Sequence, residues 1–217
     1  MTTATSARKP NPSPQPARRD RPLPNKILVT AVAVLVGWLA GNSAMSWIRR
    51  EPGVAKDLLS RPWVTGEIGQ SSVMLDTPWR LEGVSMPFPK EFSGKVQQWT
   101  WLGREKDGLN VMTGRVLFAR TERPNLEGAA DGMVRNIEAM AGTGSVSTRR
   151  WEKRLLGSPA IELEMRIQRQ KGDPLLMHGV VVLVRQLELV QLLSIARADQ
   201  PLATEAWARM RNSMRIE

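Results

Sequence analysis

The pattern of apolar and polar positions divides the chain into three regimes. Residues 1–26 have no period: Pro10, Pro12, Pro14, Pro16, Pro22 and Pro24 alternate with small polar and basic residues. Proline fixes φ and lacks the backbone donor, so this stretch predicts a disordered, polyproline-like tail. Residues 27–48, ILVTAVAVLVGWLAGNSAMSWI, are 22 residues without a charge. A helix of that length spans about 33 Å against a hydrocarbon core of about 30 Å, which predicts a single transmembrane helix. Residues 49–71 carry Pro52-Gly53, Arg61-Pro62 and Gly66 and read as a juxtamembrane spacer with one short helix over 54–59. From residue 72 onward the period changes to alternation, and a folded domain is expected over 72–217.

Within that domain, residues 97–106 place Trp99 and Trp101 two apart on one strand face. Asp107-Gly108 is hairpin turn chemistry, and residues 109–120 return as a strand through Val111, Val116 and Phe118. Asn125 is a candidate cap for a helix in which Leu126, Ala130, Met133, Ile137 and Met140 share a face and which Gly142 ends. Four strands follow as a meander over 146–156, 160–170, 175–185 and 187–195. In the second, Ile161, Leu163, Met165 and Ile167 alternate with Glu162, Glu164, Arg166 and Gln168, predicting one buried and one wet face. Pro201 opens a closing helix with Leu202, Ala206 and Met210 on one side and Trp207 adjoining. The fold class expected is α+β: an antiparallel sheet whose inner face is covered by two amphipathic helices.

Charge changes this picture mainly at the amino terminus. The whole chain carries a formal net charge of +10, but residues 1–50 hold eight basic residues and one acidic, leaving 23 and 20 for the other 167. A domain so nearly balanced lacks the clustered cations that phosphate neutralisation demands, so nucleic acid is not an expected partner. The excess instead flanks the apolar span. Arg18, Arg19, Arg21 and Lys26 before it, with Arg49 and Arg50 after it, are candidate contacts to anionic headgroups of a lipid bilayer. The larger number before the span predicts a cytoplasmic amino terminus and a carboxy-terminal domain outside the cell (inner) membrane. A signal peptide cleaved after Ala44-Met45-Ser46 and a buried soluble helix are the alternatives to an uncleaved anchor. Ala33, Gly37 and Gly41 recur every four residues on one helix face. Small residues at that spacing permit close backbone approach, so they are candidates for helix association and a homodimer within the membrane.

Chemistry is sparse. With no Cys, thiol nucleophiles and thiolate metal sites are excluded, and a single His leaves little for a His-based metal site. Ala141-Gly142-Thr143-Gly144 follows a helix instead of a strand, the wrong context for a phosphate loop. His178 sits in an alternating strand without a nucleophile motif, and Glu162 with Glu164 reads as ion pairing more than as a carboxylate pair. No cofactor and no metal are expected, and no enzymatic activity. Trp99 and Trp101 are candidates for a partner surface, or else for core.

The order hairpin, helix, antiparallel meander and closing helix resembles the PsbP-like fold, which includes the bacterial DcrB-type domains. The residues that carry the resemblance are Trp79-Arg80-Leu81 through Val84-Ser85-Met86-Pro87, the step Leu156-Gly157-Ser158-Pro159-Ala160-Ile161-Glu162, and Ala206-Trp207 through Met214-Arg215. It covers about 72–217 and implies an adaptor or docking role with no shared catalytic centre, so it assigns no functional residue. The function expected is a non-enzymatic, membrane-tethered protein whose outer domain docks on another membrane or envelope protein. The alternative is a tethered binding protein for a small apolar or lipid ligand.

Overall fold

The computed structural model describes residues 53–85, 88, 93–141, 145–169 and 172–217, the side chains at 136 and 140 excepted. Their elements run β1 (Val64–Glu67), β2 (Val73–Thr77), β3 (Glu82–Gly83), β4 (Val96–Lys106), β5 (Leu109–Phe118), α1 (Leu126–Ala141), β6 (Ser145–Leu155), β7 (Ser158–Gln168), β8 (Leu175–Val184), β9 (Glu188–Arg197), α2 (Pro201–Ser213) and β10 (Arg215–Ile216). The transmembrane helix expected over 27–48 lies outside the described residues, together with Ala33, Gly37, Gly41, Arg18, Arg19, Arg21, Lys26, Arg49, Arg50 and Gly142. Among the described residues no helix is long and apolar enough to cross a membrane.

Turn chemistry sets the hairpins. Asp107 and Gly108 both adopt left-handed backbone angles, φ 52° and 74°. A two-residue loop of that kind matches the natural twist of the strands it joins, β4 and β5. Leu156 and Gly157 repeat the arrangement between β6 and β7, at φ 57° and 71°. The strands therefore pair as antiparallel neighbours in a seven-stranded sheet of order β3-β4-β5-β9-β8-β7-β6, with a second sheet of order β1-β2-β10.

The large sheet is covered on both faces, which corrects the expectation that both helices lie on one. Strand residues alternate between faces, so each strand feeds two cores. Ile161, Leu163 and Met165 of β7 and Met177 and Val181 of β8 join Ala130, Met133 and Ile137 of α1 in one core. Val180, Val182, Val190 and Leu192 join Ala206, Trp207 and Met210 of α2 in the other, with Val73 and Leu75 of β2. A layer of α1, a central sheet, and a layer made of α2 plus the small sheet result. Both helices begin as their sequences require. The Asn125 side chain accepts from the Gly128 N–H at 3.1 Å, and Pro201 stands at the start of α2 after Gln200.

Residues 54–71 are not a spacer. Val54, Leu58 and Ile68 are buried in the α2 core, and β1 pairs with β2. Where a helix is expected over 54–59, turns form over 56–60: the Leu58 N–H donates to the Ala55 carbonyl and those of Ser60 and Arg61 to the Asp57 carbonyl. Arg61 ties this segment to the β4–β5 turn through Asp107 at 2.5 Å, and Arg209 of α2 donates to the Leu59 carbonyl at 2.9 Å. The folded domain therefore includes residues from Val54 onward, because the second face of the sheet needs that apolar cover.

Candidate functional site

β6 is the terminal strand of the large sheet, with β7 as its one partner among the described residues. It runs SVSTRRWEKRL, eleven residues in full antiparallel register from Ser145 opposite Gln168 to Leu155 opposite Ser158. At about 3.4 Å per residue this presents roughly 37 Å of backbone edge without a strand partner among the described residues. Nearly every position is exposed or half-buried. Arg149, Arg150, Lys153 and Arg154 stand on it against Glu152, and Trp151 is 39% exposed. Lys153 Nζ lies 5.8 Å from the centroid of that ring.

The two faces of β6 have different neighbours. Toward α1, Arg150 pairs with Asp131 at 2.8 Å and with Glu127, pinning the strand to the helix. Toward α2, Arg149, Trp151 and Lys153 look along the face of β7. There Glu162 accepts from Lys153 at 2.5 Å and from Arg211 of α2 at 2.8 Å. Burial pushes the Glu162 carboxyl up, but the Lys153 and Arg211 hydrogen bonds outweigh it and hold the group below its ordinary value. Lys153, Arg154, Glu162, Arg211 and Asn212 line a hollow of about 210 Å³ beside this ion cluster. Arg149 is open, with 76% of its side chain exposed and Glu164 Oε1 at 3.7 Å.

The face of β7 expected to be wet is exposed at Arg166 and Gln168 and half-buried at Glu164, but Glu162 is buried, and its partners come from β6 and α2 instead of from Arg166. His178 on β8 is also buried. Its ring stacks on Trp207 with centroids 5.5 Å apart and planes inclined by 10°. Its Nε2 has no hydrogen-bond partner among the described residues. Burial lowers its pKa, against the opposing pull of Glu164 and Glu162.

Trp99 and Trp101 share a face, as their spacing predicts, with ring centroids 5.5 Å apart. Trp101, however, is only 2% exposed and belongs to the α1 core, so it forms no partner surface. Trp99 is half-buried against Phe88, their centroids 6.3 Å apart. A separate cleft of about 450 Å³ opens between the two sheets, lined by Val64, Ile68, Leu75, Leu81, Leu102 and Thr113 together with Thr65, Gly66, Glu67, Thr77 and Arg80. Among the described residues no cluster of three or more His, Cys, Asp or Glu is placed to hold a metal.

Arg149, Trp151 and Lys153 do not stand out in the sequence as a site. The signal present is the run Arg149-Arg150-Trp151-Glu152-Lys153-Arg154, a strand with almost no apolar alternation, and such a strand reads as an edge.

Two solved structures match the chain distantly. The crystal structure of PA94 from Pseudomonas aeruginosa, a protein of unknown function, is 15% identical, and the match covers 70% of this chain and 96% of that one with a TM-score of 0.38. LpqN, involved in cell envelope biogenesis of Mycobacterium tuberculosis, is 12% identical over 76% of this chain and 98% of its own, with a TM-score of 0.43. No curated protein matches. Similarity this distant transfers no activity, ligand or partner. No family model matches the chain, so membership of the PsbP-like or DcrB-type domains is not shown, and the chain stands as a layered α+β domain built on an antiparallel sheet.

Proposed function

We propose that this chain is a non-enzymatic, single-pass membrane protein whose folded domain docks on another envelope protein. In this reading residues 27–48 anchor the chain, the basic tail remains cytoplasmic and the domain from Val54 onward lies outside. The observation that carries it is β6, an eleven-residue edge strand bearing exposed Arg149 and Trp151. A long open edge offers main-chain donors and acceptors to a partner, and an exposed Trp beside Arg is the pairing from which binding hot spots are built. The enclosure of the sole imidazole favours binding over catalysis.

Photo-crosslinking in intact cells tests this reading, with the crosslinker placed in turn at Arg149, at Val64 and at Glu205. An adduct with a second envelope protein at one of these surfaces is expected, and adducts at none of them would overturn it. Proteolysis of spheroplasts should remove the domain; protection would reverse the topology. A second reading, a tethered binder of a small apolar or lipid molecule, is favoured by the cleft between the sheets. At about 450 Å³ it falls within the usual size of ligand sites, roughly 300–1,000 Å³. Lipid co-purifying with the chain, and lost on Leu75→Arg, would support that second reading.

A further inference from the structure

We propose that the outer edge of β6 receives an extended, acidic segment of the partner protein as an additional antiparallel or parallel strand. The inference rests on the docking reading and names the chemistry of what docks. Three observations select that occupant. First, an eleven-residue edge in regular register, with no bulge in its pairing to β7, presents a continuous row of alternate N–H and C=O groups. Only another peptide backbone satisfies such a row; lipid headgroups supply acceptors but no donors in that geometry.

Second, the charge on the edge is positive: four basic residues against one acidic. Lys153 already has the buried Glu162 as a partner and Arg150 the exposed Glu127 and Asp131, whereas Arg149, 3.7 Å from Glu164, keeps 76% of its side chain exposed beside Trp151. An incoming strand with carboxylates at alternate positions would place them all on the face that Arg149, Trp151 and Lys153 share, opposite the two cations.

Third, the same charges reject the other peptide occupants the chain itself offers. Were two copies of β6 paired antiparallel about Trp151, Arg149 would stand opposite Lys153, and like charges directly opposite destabilise a sheet. The tail over 1–26 holds six basic residues and one acidic, so it is repelled as well. Basic residues on an edge guard it against self-association; here they also leave an acidic strand as the peptide that fits.

The test uses the full chain in zwitterionic detergent micelles and a fluorescein-labelled peptide of alternating glutamate and valine, read by anisotropy. Saturable binding is expected, weakened about fivefold by Arg149→Glu with the unfolding midpoint unchanged. Methylating alternate peptide nitrogens, which removes the ladder donors from one edge, should weaken it about tenfold. Equal binding by the methylated peptide, or indifference to Arg149→Glu, would overturn the proposal. So would an Arg149-dependent affinity for phosphatidylglycerol vesicles without peptide binding, or a β6-to-β6 crosslink through Thr148→Cys in this otherwise Cys-free chain. Envelope-protein adducts in cells at Val64 or Glu205, with no peptide binding at β6, would sink this inference while leaving the docking reading in place. Absence of adducts on every surface would remove the docking reading itself.

Discussion

The ring of Trp101 occupies the space that a side chain at Gly114 would need. A Cβ built on Gly114 stands 2.6 Å from Trp101 Cε3 and Cζ3, across a cross-strand pair. Both neighbours are constrained: the ring is buried in the α1 core and Gly114 sits mid-strand. Gly114→Ala should therefore destabilise the domain by about 1–3 kcal/mol through overpacking, measured by urea unfolding. Combining it with Trp101→Leu should recover part of that loss, since the clash is with the ring.

Gln191 is next in the same cross-strand row, opposite Gly114 and fully buried. Neither its Oε1 nor its Nε2 has a hydrogen-bond partner among the described residues. A buried amide without partners is unfavourable by about 1–3 kcal/mol, so Gln191→Leu, close in volume, is expected to raise the thermal unfolding midpoint. A lowered midpoint would show that the amide is satisfied in solution.

Arg115 and Glu188 form the most enclosed ion pair of the β5–β9 ladder, Nε to Oε1 at 2.7 Å, with side chains 11% and 5% exposed. Gln98 accepts a further hydrogen bond from Arg115. Removing one partner leaves a buried charge, so Glu188→Leu should destabilise by about 3–5 kcal/mol, whereas Arg115→Met with Glu188→Leu should be much closer to neutral. A double-mutant cycle by denaturant unfolding checks both arms. Additive losses would mean that the two charges are not coupled.

Stability should fall on acidification in two steps. His178 is held below its ordinary value of 6.5 by burial, with Glu164 and Glu162 of β7 opposing and Arg211 of α2 reinforcing that shift. Below about pH 6.5 the unfolded chain takes up a proton that the folded chain does not, so its contribution is complete above that pH and declines beneath it. The decline ends where the folded imidazole also protonates. Glu162, held below 4.5 by Lys153 and Arg211, adds a second loss as pH falls beneath that value. His178→Phe retains an aromatic partner for Trp207 and should flatten the upper step alone in a pH series of unfolding midpoints.

Much of the fold is legible locally. Asp107-Gly108 reports a two-residue hairpin because few pairs accept two consecutive left-handed residues. The apolar spacing of Leu126, Ala130, Met133 and Ile137 reports α1, and the alternation of Ile161 through Gln168 reports β7. The outer edge of β6 is not legible in the same way. The run around Trp151 reads as a strand, but its place at the end of the sheet depends on β9 inserting between β5 and β8, an order set by pairing between distant residues. Trp99 and Trp101 mislead for a related reason. Spacing puts both rings on one face, yet only the presence of Gly114 across the ladder lets Trp101 sink into the core.

The sequence by itself determined the main strands and both helices from β4 to α2 with their turns and helix starts, the concentration of positive charge at the amino terminus, and the absence of Cys chemistry. These follow from backbone preferences and composition within a few residues. Only the tertiary structure decided that the helices cover opposite faces, that residues 54–71 belong to the second core, and that Glu162 is enclosed by Lys153 and Arg211. An amphipathic pattern states that a face must be buried; which surface buries it depends on the long-range pairing that brings two apolar faces together.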